Sequence, residues 1–548
     1  MVQSVRKNDL TMCATCEDLP NCKFGNFNKF CELFLWTFVF DNYLTAAFAV
    51  LMSFWAIFFI NLWRRKENKL KLRWNTNIED FDTENRAVFE DSAKSKRRNT
   101  ITGELEPHIP KINIFFRYAV TLSTCGILIG IIFLTVLVIT AFKVIFARYC
   151  DASETKFLLY HSKILTMLLG SAMQVFCIKM FEKIYGPLSI ELTKYENPRT
   201  QQAFDNSVLY KRYLLSFINN YTPLFYLAFM KGKLYTVPHE INFFRRDACM
   251  PANCVLALCI QMAFLMTLKD LLGNVCSLIF FQIRKLINYL LNIKEPPPTN
   301  IPQWEEEYCL FPTNRYLLTT EFTEMIIKYG FVTFFVAAFP LAPLCALANN
   351  LLEMRSDAYK LVMLYRRPIP LMKSGIGAWN GVLLSVTFLS TATNAFVIAF
   401  TSDIVPRQVF RSYNPSSDLS EFPVLMLTKY KTVKYDGYSK LNDVPEYCYF
   451  RGQYRFTNYF KRHELSLYYW RYLTYRLITV FVFEHVILVC NAILSYSIPK
   501  FPVSVAQHLD KARLEVREAK HKAFQSGVNK EGLKNQGNIK ESIKLHME

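Results

Sequence analysis

None of the short signatures by which enzymes hold phosphate, activate a serine or seat a catalytic zinc occurs in this sequence. There is no glycine-rich phosphate loop, no nucleophile elbow and no His-Glu-x-x-His, and only eight histidines are scattered over 548 residues. An enzyme reading has little to stand on. Charge is also scarce: 20% of residues are charged, against 52% hydrophobic and 15% aromatic, which argues against an ordinary soluble protein of this length. The first 30 residues are polar and show neither the apolar core nor the cleavage site of a signal peptide. Internal repeats are absent as well.

Long apolar runs dominate what is there. Runs near 42–62, 117–147, 160–180, 207–230, 255–283, 325–345, 344–365, 377–405 and 472–497 are each long enough to span a bilayer. The expected fold is therefore all-α, a polytopic helical membrane protein with nine crossings. The net charge of +19 comes largely from basic clusters at the ends of these runs: Arg64-Arg65-Lys66, Lys94 to Arg98, Arg284-Lys285, Arg366-Arg367 and the tail after Lys500. Placing those clusters in the cytosol gives a consistent alternation with the start outside and the C-terminus inside. Nucleic acid is then not needed to explain the charge. The stretch from 64 to about 112 reads as a polar cytosolic loop, partly disordered, and the 406–466 stretch as a long outer loop.

Cysteines sort by side. Cys13, Cys16, Cys22 and Cys31 precede the first run, Cys249 and Cys254 fall in an outer loop, and Cys448 lies in the last outer loop. The oxidising face favours disulfides among these seven, with connectivity left open. A zinc site built on Cys13-x-x-Cys16 is the rival reading.

The stretch from Glu321 to Asp357 organises the chain. Carboxylates sit at both ends of a long apolar segment broken by Pro340 and Pro343, which predicts two membrane helices folded at a Phe-Pro-Leu-Ala-Pro apex. Counted from that apex, Glu324 and Asp357 lie roughly 24 and 21 Å down their arms. Glu321 and Glu324 share one helix face, Glu353 and Asp357 another, with Asn349 one turn away. From the 255–283 run, Asn274 reaches a similar level. Four carboxylates at one depth are too costly to be ornamental. With amide oxygens from Asn274 and Asn349 they supply the hard donors that calcium takes. Proton-coupled transport, or ion pairs with Lys269, Lys328 and Arg355, would explain them otherwise.

The chain resembles the anoctamins, a family of calcium-activated chloride channels and phospholipid scramblases. The resemblance is carried by FDNYLTAAFAVLMSFWAIFF with LWRRK, NNYTPLFYLAFMKGK, the cysteine pair of CMPANC, the segment from Glu324 to Lys360, RRPIP and NAFVIAFTSDIVPR. It implies ten helices per subunit, a homodimer, and a groove in each subunit lined by the third to seventh helices. It places regulatory calcium ligands at Glu321, Glu324, Glu353, Asp357 and Asn274. The acidic ligand expected one turn beyond Asn274 is replaced by Ser277 or Leu278, which implies weaker calcium binding and altered gating. Asn61, Ala492 and Ser495 stand where the acids of a second, peripheral calcium site would be.

Against the family pattern the chain begins late. A cytosolic N-terminal domain and a first helix would precede residue 1, leaving nine of ten helices here. The expected parts are an extracellular Cys-rich segment (1–33), a transmembrane channel or scramblase domain (34–498) and a charged helical cytosolic tail (499–548).

For an anion pathway, the resemblance places basic pore positions at Arg148 and Lys269, with Lys211 and Arg212 at the inner end of the fifth helix; interfacial snorkelling is the rival reading for each, and the favoured one for Lys211 and Arg212. Ser216 stands where chloride-selective members carry a base, which weakens the channel reading. A scramblase would need a lipid-open groove lined by polar groups, and Asn219, Asn220, Tyr221 and Thr222 could serve. The function expected is a calcium-activated chloride channel, with a calcium-dependent scramblase or an ion-coupled transporter as alternatives. Its partners would be membrane lipid, chloride and a second copy of the chain. As a multi-pass protein its expected location is the plasma membrane ahead of the endoplasmic reticulum.

Overall fold

A computed structural model describes residues 10–13, 25–76, 85–99, 103, 105–152, 155–232, 247, 249, 252–291, 302–308, 310–370, 373, 375–415, 421–431, 445–452 and 466–525. The main helices are α1 (Cys31–Phe40), α2 (Tyr43–Arg73), α3 (Lys111–Ala152), α4 (Lys156–Glu196), α5 (Gln201–Phe225), α6 (Val255–Leu291), α7 (Leu317–Phe334), α8 (Ala342–Tyr359), α9 (Trp379–Phe396), α10 (Ile404–Tyr413), α11 (Leu467–Ser497) and α12 (Val503–Gln525). The apolar runs anticipated above fall on helices, except that the 325–345 run takes in the end of α7, a non-helical turn over 335–341 and the start of α8. Among the described residues, five spans are long and apolar enough to cross a membrane: Cys31–Arg73, Lys111–Cys150, Ile164–Glu196, Trp379–Thr401 and Leu467–Ser497.

The surface of these helices is inverted relative to a water-soluble protein. Leu122 and Ile127 on α3 and Phe481 and Val489 on α11 are more than half exposed. In water such continuous apolar faces would be costly; in hydrocarbon they are the proper exterior, and the backbone groups along the body of each helix are satisfied within it. Inside, α5, α6 and α7 pack around Tyr221, Leu258, Met262, Phe334 and Phe335, all fully buried. Around that centre α3 and α4 run along one another, α4 touches α5 and α6, and α9 joins α7 to α2 and α11.

The central hairpin forms, but its fold differs from the proline-centred expectation. Helix α7 already ends at Phe334, six residues before Pro340, and Pro343 sits in the first turn of α8. A proline there forfeits no hydrogen bond, because first-turn amides have no helical acceptor. The early stop is held by Asn394 of α9, whose amide donates to the Thr333 carbonyl at 2.6 Å. At the same level Gly330 admits the Tyr221 ring: a Cβ there would stand 1.9 Å from the Tyr221 hydroxyl oxygen. That hydroxyl donates to the Ile327 carbonyl at 2.6 Å, tying α5 to α7.

Both long loops carry more order than their composition suggested. Strands β3 (Ser95–Arg98) and β4 (Leu105–His108) form an antiparallel hairpin. It is stitched to the α4–α5 turn by Arg199, which pairs with Glu106 at 3.0 Å and donates to Asn85 at 2.6 Å. Hydrogen bonding from Asn99 and the charge of Arg199 hold the Glu106 carboxyl below its usual range. Strands β1 (Thr11–Met12), β2 (Gly25–Asn26), β5 (Leu427–Lys431) and β6 (Tyr447–Arg451) make one sheet in the order β2-β1-β6-β5. A bond between Cys13 and Cys448 clamps its two halves, and Cys249 is bonded to Cys254. The Cys13–Cys448 bond overturns the zinc rival, since a disulfide sulfur is no longer a thiolate ligand. Cys31 opens α1, whereas Cys16 and Cys22 lie outside the described residues.

Candidate functional site

Glu321 and Glu324 lie one turn apart on α7, and Glu353 lies on the facing side of α8. One carboxylate oxygen from each falls within 4.8 Å of the other two. Measured from the helix ends at Phe334 and Ala342, Glu324 and Glu353 are both roughly 15–17 Å down their arms, which is why they meet. Asp357 lies one turn deeper, roughly 22 Å from Ala342, and pairs with Lys360 at 3.1 Å. It still acts on Glu321, which experiences the carboxylates of Asp357, Glu324 and Glu353 together with the Lys360 ammonium.

Cations answer part of this charge. Lys328, one turn beyond Glu324 on α7, is buried and forms an ion pair with buried Glu353. Arg212 of α5 lies within electrostatic reach of Glu324, Glu321 and Glu182. The two other cations considered as partners go elsewhere. Arg355 is exposed. Lys269 turns to α4 and α5 and pairs with Glu182 at 2.7 Å while donating to Asn220 at 2.7 Å. It is 3% exposed, so it clamps three helices at that point.

The remaining expected site residues scatter around this centre. Asn349 donates its amide to the Met266 carbonyl and thereby ties α8 to α6. Asn274 and Ser277 belong to the backbone of α6, and their side chains lie outside the described residues. Ser216 is buried on α5 and accepts from the Asn220 amide. Lys211 pairs with Glu196 of α4 at 2.5 Å and also donates to Thr193 and Ser207. Arg148 is half-buried near the end of α3.

Two sets of polar residues were missed. Glu182 and Glu196 on α4 hold Lys269 of α6 and Lys211 of α5; an acid just beyond the 160–180 apolar run was the available signal. The second set is a buried network at the α1–α2 kink. There Asp41 accepts from Arg407 at 2.5 Å, Asn253 at 2.6 Å, the Asp403 amide at 3.0 Å and Ser402 at 2.5 Å. Arg451 of β6 extends it by pairing with Asp403. Its members are scattered over more than 400 residues of sequence, so no local pattern announces it.

Three carboxylates converging from two helices form an all-oxygen donor set, which suits a hard divalent cation better than a thiophilic metal. The residues present fit a hard divalent cation in type and spacing, with Asp357 one turn deeper.

A family model described as "Anoctamin: Calcium-activated chloride channel" matches residues 18–512. Anoctamin-3 of Mus musculus is 32% identical over 531 residues, covering 94% of this chain and 54% of that protein. Anoctamin-4 of Bos taurus is 32% identical over 552 residues, covering 95% and 60%, and Anoctamin-1 of Homo sapiens is 29% identical over 566 residues, covering 93% and 56%. The chain thus spans somewhat more than half the length of these curated relatives. With the family match running through nearly all of its helices and the carboxylate-bearing hairpin at their centre, this polytopic membrane protein belongs to the anoctamin family.

Proposed function

We propose that the protein is a calcium-activated anion channel in which the Glu321, Glu324, Glu353 and Asp357 carboxylates form the regulatory site, joined by Asn274 of α6. The observation that carries the reading is the convergence of three carboxylate oxygens within 4.8 Å from facing helices. Calcium bound there supplies positive charge that offsets the mutual repulsion of the acids. Without calcium, no cation links the inner part of α6 to the acids of α7 and α8, while the Asn349–Met266 bond holds α6 nearer its start. Release of the inner part toward α8 opens the groove between α3 and α7. A difference in calcium affinity between the two positions of α6 provides the bias. Arg148, half-buried near the end of α3, supplies positive potential to the groove, whereas Lys269 and Lys211 are neutralised by Glu182 and Glu196; the assembly is a homodimer with one groove per subunit at the plasma membrane.

Current through excised patches at graded calcium tests this. Glu324→Gln and Asp357→Asn should each shift activation to at least about tenfold higher calcium, as expected when a charged ligand is lost. Parent and variants giving the same calcium-independent record would defeat the proposal. Lipid scrambling in reconstituted vesicles, calcium-dependent and without current, would favour the scramblase reading.

A further inference from the structure

We infer that Lys328 is a tethered counter-cation of the carboxylate cluster, setting how tightly the cluster takes calcium and holding α7 against α8 when no divalent ion is bound. The inference rests on the regulatory-site reading and deepens it. Lys328 follows Glu324 by four residues, so both project from the same face of α7. Its ammonium reaches across the hairpin to Glu353, the one member of the converging trio that α8 supplies. Lysine and glutamate are 6% and 5% exposed, so water screens neither. A divalent ion among Glu321, Glu324 and Glu353 must therefore share Glu353 with a fixed positive charge a few ångströms away.

Two opposed consequences follow. Without calcium, the ion pair neutralises one carboxylate and joins the two arms, so the hairpin does not depend on metal for its packing. With calcium, the ammonium repels the incoming ion and competes for one of its ligands. Lys360 and Arg212 bear on the same acids, but Lys360 pairs with Asp357, and Arg212 acts from α5. Lys328 alone among these three is paired with a member of the trio.

The test uses the purified full chain in detergent micelles, with calcium chloride in chelator-buffered solution as the probe and the thermal unfolding midpoint as the readout. Lys328→Gln should lower the midpoint in calcium-free solution and tighten apparent calcium affinity by about tenfold or more, since a unit charge this close acts through an effective dielectric far below that of water. Lys328→Arg, which keeps the charge, should stay within about threefold of the parent. Unchanged or weaker calcium binding in Lys328→Gln, alongside a parent that responds to calcium, would overturn the inference and leave the regulatory site standing. No calcium response in the parent, in Lys328→Gln or in Glu324→Gln would overturn both. If Lys328→Gln does not fold, Glu353→Gln and the double variant Lys328→Gln/Glu353→Gln replace it. There the double variant should bind calcium more tightly than the single one, and equal affinity counts against the inference.

Discussion

Replacing Asp41 by asparagine changes one atom and removes one charge at the most heavily used carboxylate among the described residues. Asp41 is 2% exposed and receives four donors, from Arg407, Asn253, Ser402 and the Asp403 amide. Arg407 is 4% exposed and also donates to the Asp41 carbonyl at 2.6 Å. An asparagine oxygen could still face three of the donors, with its NH2 group toward Ser402, so the shape of the network survives. The charge does not. Arg407 is left buried without its paired carboxylate, and breaking a buried pair from one side costs about 3–5 kcal/mol. Scaled from about 2–4 °C per kcal/mol for domains of roughly 200 residues, a chain of this size should lose about 5 °C in its unfolding midpoint. Removing both charges together, as Asp41→Asn with Arg407→Met, should restore at least half of that loss. Thermal unfolding of the four proteins in micelles closes the double-mutant cycle. A single-variant loss below about 1 °C, or strictly additive losses, would refute the claim that the pair is coupled and desolvated.

Gly330→Ala should cost about 1–3 kcal/mol, because the added carbon falls on the Tyr221 hydroxyl and neither buried helix can yield freely; Tyr221→Phe in the same background should recover part of the loss in a thermal unfolding assay. Peptide mapping without reductant should recover Cys13 linked to Cys448 and Cys249 linked to Cys254, and the Cys13 to Cys448 link should vanish in Cys13→Ser with its β1 segment cleaved earlier by added protease.

Helix identity and the location of the acidic hairpin were written in local patterns. Apolar runs of membrane length leave the backbone no alternative to helix, because hydrocarbon offers no partner for an unpaired peptide group. Carboxylates spaced at three and four residues share a face wherever that helix goes, so Glu321 with Glu324, and Glu353 with Asp357, were legible before any coordinates. The family motifs then suggested a cation for them. Tertiary structure decided the rest. Where α7 stops depends on Asn394 from another helix more than on Pro340, and this moved Glu324 level with Glu353 and left Asp357 a turn deeper. Which base answers which acid is a matter of helix packing: Lys269 turns to Glu182, and Lys328 reaches Glu353. The Asp41 network and the Cys13–Cys448 bond join residues more than 360 and 430 positions apart. A one-dimensional pattern records spacing along a helix, whereas charge pairing in a low-dielectric interior is set by which faces the packing brings together.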